Sequence, residues 1–263
     1  MSLALIAAAA LSQAQAAPPP PEVEAVRAQQ MEQLDAWLAQ DDYRAIGDEV
    51  QALSDPVEAA ATLDWLGRQF QQGESAFISW QYSELLSAFA QGPKGEGLKG
   101  TALAAMLYTI AASSIEARQC ADKTAWSDRA RTFTRHLMHG DLLDQPQEMR
   151  ELAVRIALAM EQRTWDRRKQ MNDAEFLCMN GMAAMSAGIS GGSMREEAPA
   201  EGQVGRQIRV SPPEDFVYER RENADWWPDA EALRAQLPQA LVVLAGLASR
   251  DHAGESAEDG PGE

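Results

Sequence analysis

Gly100–Cys120, GTALAAMLYTIAASSIEARQC, is the stretch whose reading decides the fold. Leu103, Met106, Leu107, Tyr108, Ile110, Ala111 and Ile115 occupy much of a helical circumference rather than one stripe. A helix this apolar belongs at the buried centre of a bundle. Its counterpart is the run Asn172–Ala187, which carries Cys178. Cys120 and Cys178 are the only two cysteines, and each stands at the edge of an apolar helical segment. A bridge between them closes a loop of nearly sixty residues. Redox-active pairs usually need close spacing such as C-x-x-C, so a structural disulfide is expected instead.

Working outward, the chain reads as helix after helix. Val23, Val26, Leu34, Trp37 and Leu38 trace one face, and Asp41-Asp42 breaks it before a short second helix. Ser54-Asp55-Pro56 is a helix start, because serine or aspartate caps and proline fits the first turn. Val57, Ala60, Leu63, Leu66 and Phe70 then keep a 3.6-residue period up to Gly73. Ser75 opens the next helix, with Ile78, Tyr82, Leu85 and Phe89 inward. Beyond the central helix, Trp126, Ala130, Phe133 and Leu137 form one amphipathic face, and Met149, Leu152, Ile156 and Met160 another. Trp226-Trp227-Pro228-Asp229 starts a last helix with Leu233, Leu237, Leu241, Leu244 and Ala248 inward. No alternating run is long enough for a sheet. The expected fold is all-α: an irregular helical bundle, or a short helix-pair array, of about eight helices stapled by one disulfide.

Residues 57–91 resemble one helix pair of the Sel1-like repeats, relatives of the tetratricopeptide repeats. Trp65, the amphipathic stretch around it and Gly73 eight residues later carry the resemblance. Phe77, Trp80 and Tyr82 fill small-residue positions of the second helix, which departs from the pattern. The resemblance implies helix pairs that stack and bind proteins or peptides. The central part, Ala102 to Cys178, also resembles a group of uncharacterised exported bacterial helical proteins through Leu107-Tyr108, Cys120-Ala121-Asp122 and Leu177-Cys178. That resemblance implies no activity.

The expected organisation is a signal peptide over 1–16, a proline-rich spacer over 17–21, and one helical domain over 22–187 plus 214–248. A flexible excursion is expected over 188–213 and a disordered acidic tail over 249–263. The signal rests on the apolar run Leu3–Leu11 followed by small Ala14 and Ala16 at A-x-A spacing, although no Lys or Arg precedes it. It predicts a periplasmic or secreted protein. No segment reaches the uninterrupted length expected of a membrane span. The net charge of −17 repels phosphate backbones, so nucleic acid is not an expected partner.

Candidate chemistry is sparse, and the sequence carries no G-x-S-x-G, H-E-x-x-H, P-loop or Rossmann fingerprint. The Arg-rich helices set Arg129, Arg131, Arg163 and Arg167 as candidate ligand-binding residues. They line an anion pocket if the helices pack antiparallel, and otherwise form a solvated or interhelical network. Trp226 and Trp227 are either an aromatic ligand-binding edge or a clamp holding a loop on the core. His136 and His139, like Met179, Met182 and Met185, have spacings compatible with metal ligands. A helix end and a packed core account for both sets, so neither a metal nor a cofactor is expected. The reading favoured is binding of an unknown protein or envelope component rather than catalysis. Its alternatives are a carboxylate-dependent hydrolase acting on an envelope polymer, and Met/His metal binding.

Overall fold

The computed structural model describes residues 21–197 and 207–247, and the expected signal peptide, spacer residues 17–20, Ala248 and the acidic tail lie outside them. The fold is all-α, with ten α-helices and one two-stranded ribbon among the described residues. The helices are α1 (Pro21–Leu38), α2 (Tyr43–Ala52), α3 (Pro56–Gln72), α4 (Ala76–Gln91) and α5 (Lys99–Glu116). After them come α6 (Asp128–His139), α7 (Gln147–Arg168), α8 (Ala174–Cys178), α9 (Met182–Gly191) and α10 (Asn223–Leu244). The ribbon, β1 (Ser193–Glu197) and β2 (Gln207–Ser211), lies between α9 and α10.

Helix α5 is the axis. Ala102 through Ser113 is buried without interruption, and α4, α6, α7 and α10 pack around it. With its short 3-10 flanks it spans Glu96–Gln119, long and apolar enough by composition to cross a membrane, yet 72% of its apolar window is buried inside the protein. The core it organises includes Phe70, Leu86, Phe133, Leu137, Ala157, Trp165, Trp226 and Leu241. A second cluster joins Leu34, Ile46, Trp65, Leu66 and Ile78 across α1 to α4.

Local chemistry sets the helix ends. The Asp55 carboxylate accepts from the N–H groups of Val57 (2.7 Å) and Glu58 (3.1 Å), and Pro56 occupies the first turn. Gly73 ends α3 at φ +76°, a left-handed backbone that glycine adopts without a Cβ penalty. Gly67 lets the α3–α4 pair close, because a Cβ there would stand 3.1 Å from the Tyr82 ring.

Cys120 and Cys178 form the expected disulfide, with Cα atoms 5.6 Å apart. It fastens the end of the central helix to α8 in a small cluster with Ala76, Ala125, Ala174 and Leu177. Beside it, Ala121 donates to the Glu219 carbonyl (3.1 Å) and Arg221 to the Gln119 carbonyl (2.7 Å), so the extended segment before α10 docks on the bridge.

The stretch 188–213, expected as a flexible excursion, carries regular structure over its described residues. They form the end of α9 and both strands, with Met194 opposite Val210 and Glu196 opposite Ile208. The ribbon packs on α9 through a glycine: a Cβ at Gly188 would meet the Val210 side chain at 2.4 Å. Strand β2 alternates polar and apolar residues over only five positions, and β1 has Met194 as its one apolar residue, so the sequence signal is short.

Candidate functional site

Two constellations stand out, one sealed and one open. The sealed one gathers side chains from four helix termini. Arg168, at the end of α7, donates from Nε and Nη2 to the two carboxylate oxygens of Glu116, at the end of α5; the Nη2 bond is 2.9 Å. Its Nη1 donates to the Glu74 carbonyl (2.7 Å), Ser79 Oγ (3.0 Å) and the Tyr108 hydroxyl (3.0 Å). Tyr108 lies 2.8 Å from Thr164 Oγ1, which itself donates to the Met160 carbonyl, so Tyr108 donates to Thr164. Asp173, just before α8, accepts the Ala76 N–H at the start of α4 (3.0 Å).

Glu116, Arg168 and Asp173 are each at most 3% exposed. Burial pushes the Glu116 carboxyl up to about 7, against the pull of Arg168, and Asp173 adds to the rise. Burial likewise raises Asp173 above the usual carboxylate range. Burial works against the Arg168 charge, but Glu116, Tyr108 and Asp173 outweigh it and hold the guanidinium firmly protonated. Two buried carboxylates facing one cation retain one proton near neutrality. A desolvated Glu beside an Asp is the right chemistry for acid–base work. Neither lines the open groove, however, and their bonds instead tie together α4, α5, α7 and α8.

The open constellation is a groove of about 730 Å³. One wall is the face of α4 carrying Phe77, Trp80, Glu84, Leu85 and Ala88. Arg129 from α6, Met179 and Asn180 close its floor, and Arg209, Val210, Ser211 of β2 with Tyr218 form the far wall. The sealed cluster sets this face: Ser79, held by Arg168, precedes Trp80 on α4. Rings dominate the lining, with Phe77 and Trp80 each set edge-on to Phe176 behind them, at centroid distances of 5.4 and 5.3 Å.

Arg129 is the electrostatic centre of the groove. It is 7% exposed, with its guanidinium 4.8 Å from the Trp80 ring centroid and 4.2 Å from that of Phe176. Nε donates to the Phe176 carbonyl (2.9 Å) and Nη2 abuts Met179 Sδ. Burial lowers its pKa to about 10, only partly opposed by Asp128, Tyr218 and Glu84. No carboxylate among the described residues reaches ion-pair distance of it; Glu84 pairs with His136 Nδ1 (3.1 Å), and Asp128 accepts from Asn180 (2.7 Å).

The other candidate residues scatter. Arg131 is exposed and donates to Ser127 Oγ (3.0 Å), while Arg163 donates to the Gln71 carbonyl (3.3 Å) and Arg167 pairs with Glu74. Of the arginine run, Arg167 and Arg168 join interhelical ion pairs, whereas Arg129 lines the groove and Arg131 bonds one turn back along its own segment. Trp226 is fully buried against Trp165 and donates to Asn223 (3.2 Å). Trp227 borders a separate 320 Å³ recess with Trp165, Lys169 and Glu231. Met182 and Met185 are exposed while Met179 lies against Arg129, and the described residues contain no group of three or more His, Cys, Asp or Glu placed to hold a metal.

Sequence reasoning missed Trp80, Glu84 and Tyr218 as groove residues, and Glu116, Arg168 and Asp173 as a cluster. A surplus of rings on α4 was the available signal: Phe77 and Trp80 fall off the inward face set by Ile78, Tyr82, Leu85 and Phe89. No family model, no curated protein and no solved structure matches this chain.

Proposed function

We propose that this protein acts by binding, outside the cytoplasm, and that the groove between α4 and β2 is its site. The observation that carries this is the groove itself: ring-walled, open to solvent, and about 730 Å³, inside the range of ~300–1,000 Å³ typical of ligand sites. Its walls combine apolar faces with a few fixed polar groups, the pattern that gives affinity and orientation together. The disulfide supports an oxidising compartment, and with it the expected export.

One observation favours the hydrolase alternative, the elevated Glu116 beside Asp173. A substrate reaching that pair has to displace Arg168 and Tyr108 from the core, so binding is the stronger reading.

A photo-crosslinking amino acid at Ala88, exposed on the groove wall, tests the proposal against the same group at Val243 on α10. In envelope extract of the source cell, the Ala88 position yields a discrete adduct that Ala88→Trp, filling the groove in the untagged protein, no longer competes away. Equal adducts from both positions, or none from Ala88, contradict the reading.

A further inference from the structure

We infer that the groove takes an extended peptide segment bearing a carboxylate, and that Arg129 is the group that receives the anion; this rests on the binding reading above. Buried charges in proteins are nearly always paired, because an isolated one forfeits its hydration without compensation. Arg129 breaks that pattern: it is buried, charged, and without a carboxylate partner among the described residues. Two of its nitrogens are occupied by the Phe176 carbonyl and the Met179 sulfur, and Nη1 has no bonded partner among the described residues. The rings of Trp80 and Phe176 fix the guanidinium plane, so its remaining edge is preorganised for an oxyanion.

The far wall selects a peptide over a compact small molecule. Among the described residues strand β2 pairs with β1 alone, and its Val210 and Ser211 line the groove. An unpaired strand edge offers main-chain donors and acceptors to an added strand, while pockets beside it receive alternate side chains. Phe77, Trp80 and Leu85 supply such apolar walls across the gap. A segment lying along β2 with its carboxylate on Arg129 neutralises the buried cation and satisfies the strand together.

The test compares two N-acetylated tetrapeptide libraries of identical composition, one ending in free carboxylates and the other in carboxamides, by affinity selection and mass spectrometry on the full protein. Free acids are expected to be enriched about tenfold or more over the amides, as the loss of one charge-assisted hydrogen bond dictates. Arg129→Lys retains part of the preference and Arg129→Gln abolishes it, with thermal melts showing that each variant folds. Ala88→Trp removes retention of both libraries. If acids and amides are retained equally by the native protein but not by Ala88→Trp, the carboxylate inference fails and the groove stands. Retention no better than Ala88→Trp for either library overturns both.

Discussion

Asp173 and Glu116 both feel the charge of one guanidinium, to which only Glu116 is bonded, and the imbalance makes the core respond to pH. Both carboxyls lie above their ordinary range, Glu116 at about 7. A carboxyl raised by folding stabilises fully below its unfolded pKa and loses that contribution as pH climbs through the folded value. The cluster therefore weakens the fold progressively from about pH 4.5 to about pH 7. Asp141, held below the usual carboxylate range by its hydrogen bond to Lys99, acts in the opposite direction and only in acid. Melting curves of the native protein are expected to shift down between about pH 5 and pH 8, whereas Asp173→Asn flattens that dependence by removing the surplus negative charge. An unchanged slope in the variant contradicts the shared-proton account. None of this was legible in sequence, because Glu116 and Arg168 stand 52 positions apart and each lies in an ordinary charged helix end. Arg129 was legible as an arginine on a candidate helix, but that no carboxylate of the described residues stands at ion-pair distance from it is a property of packing.

At the scale of elements, the sequence was most informative where one local signal sufficed. The Asp55-Pro56 start and Gly73 stop of α3, and the apolar circumference of α5, follow from capping and periodicity. The ribbon did not, since β1 has Met194 as its one apolar residue and the alternation of β2 runs for only five residues. Gly73 links helix end to core, because a Cβ there would stand 2.7 Å from the Thr164 side chain that receives Tyr108. Gly73→Ala is expected to cost about 1–2 kcal/mol for the left-handed backbone alone, and more for displacing Thr164; chemical denaturation measures it. A neutral substitution would show that α3 ends differently. Opening the Cys120–Cys178 bridge releases a loop with a sequence separation of 58. The Cys120→Ser, Cys178→Ser double variant is expected to lose about 4 kcal/mol in the chain-entropy model. Loss of less than about 1 kcal/mol would mean that the packing of Ala174 and Leu177 with Ala76 and Ala125 holds α8 without the bridge.

For the whole molecule, the parts serve one arrangement. A buried central helix carries the Glu116 end of the ion cluster, and the disulfide lies just beyond it. The ion cluster orients α4, and α4 presents its rings toward β2 across the groove. All-α architecture and the disulfide were readable in advance, since apolar periodicity and cysteine count are local or compositional. The groove was not, because it exists only where α4, α6 and the ribbon meet. The strong negative charge is compatible with an anionic ligand segment because short-range contact at Arg129 is screened far less than the distant surface field. The most direct measurement is hydrogen–deuterium exchange of the full protein with and without the free-acid peptide library at saturating concentration. The account predicts slowed exchange in α4 around 77–88, in β2 at 207–211 and beside Tyr218, and little change around Trp165 and Trp227. Protection confined to the Trp227 recess, or uniform exchange with and without peptide, would contradict it.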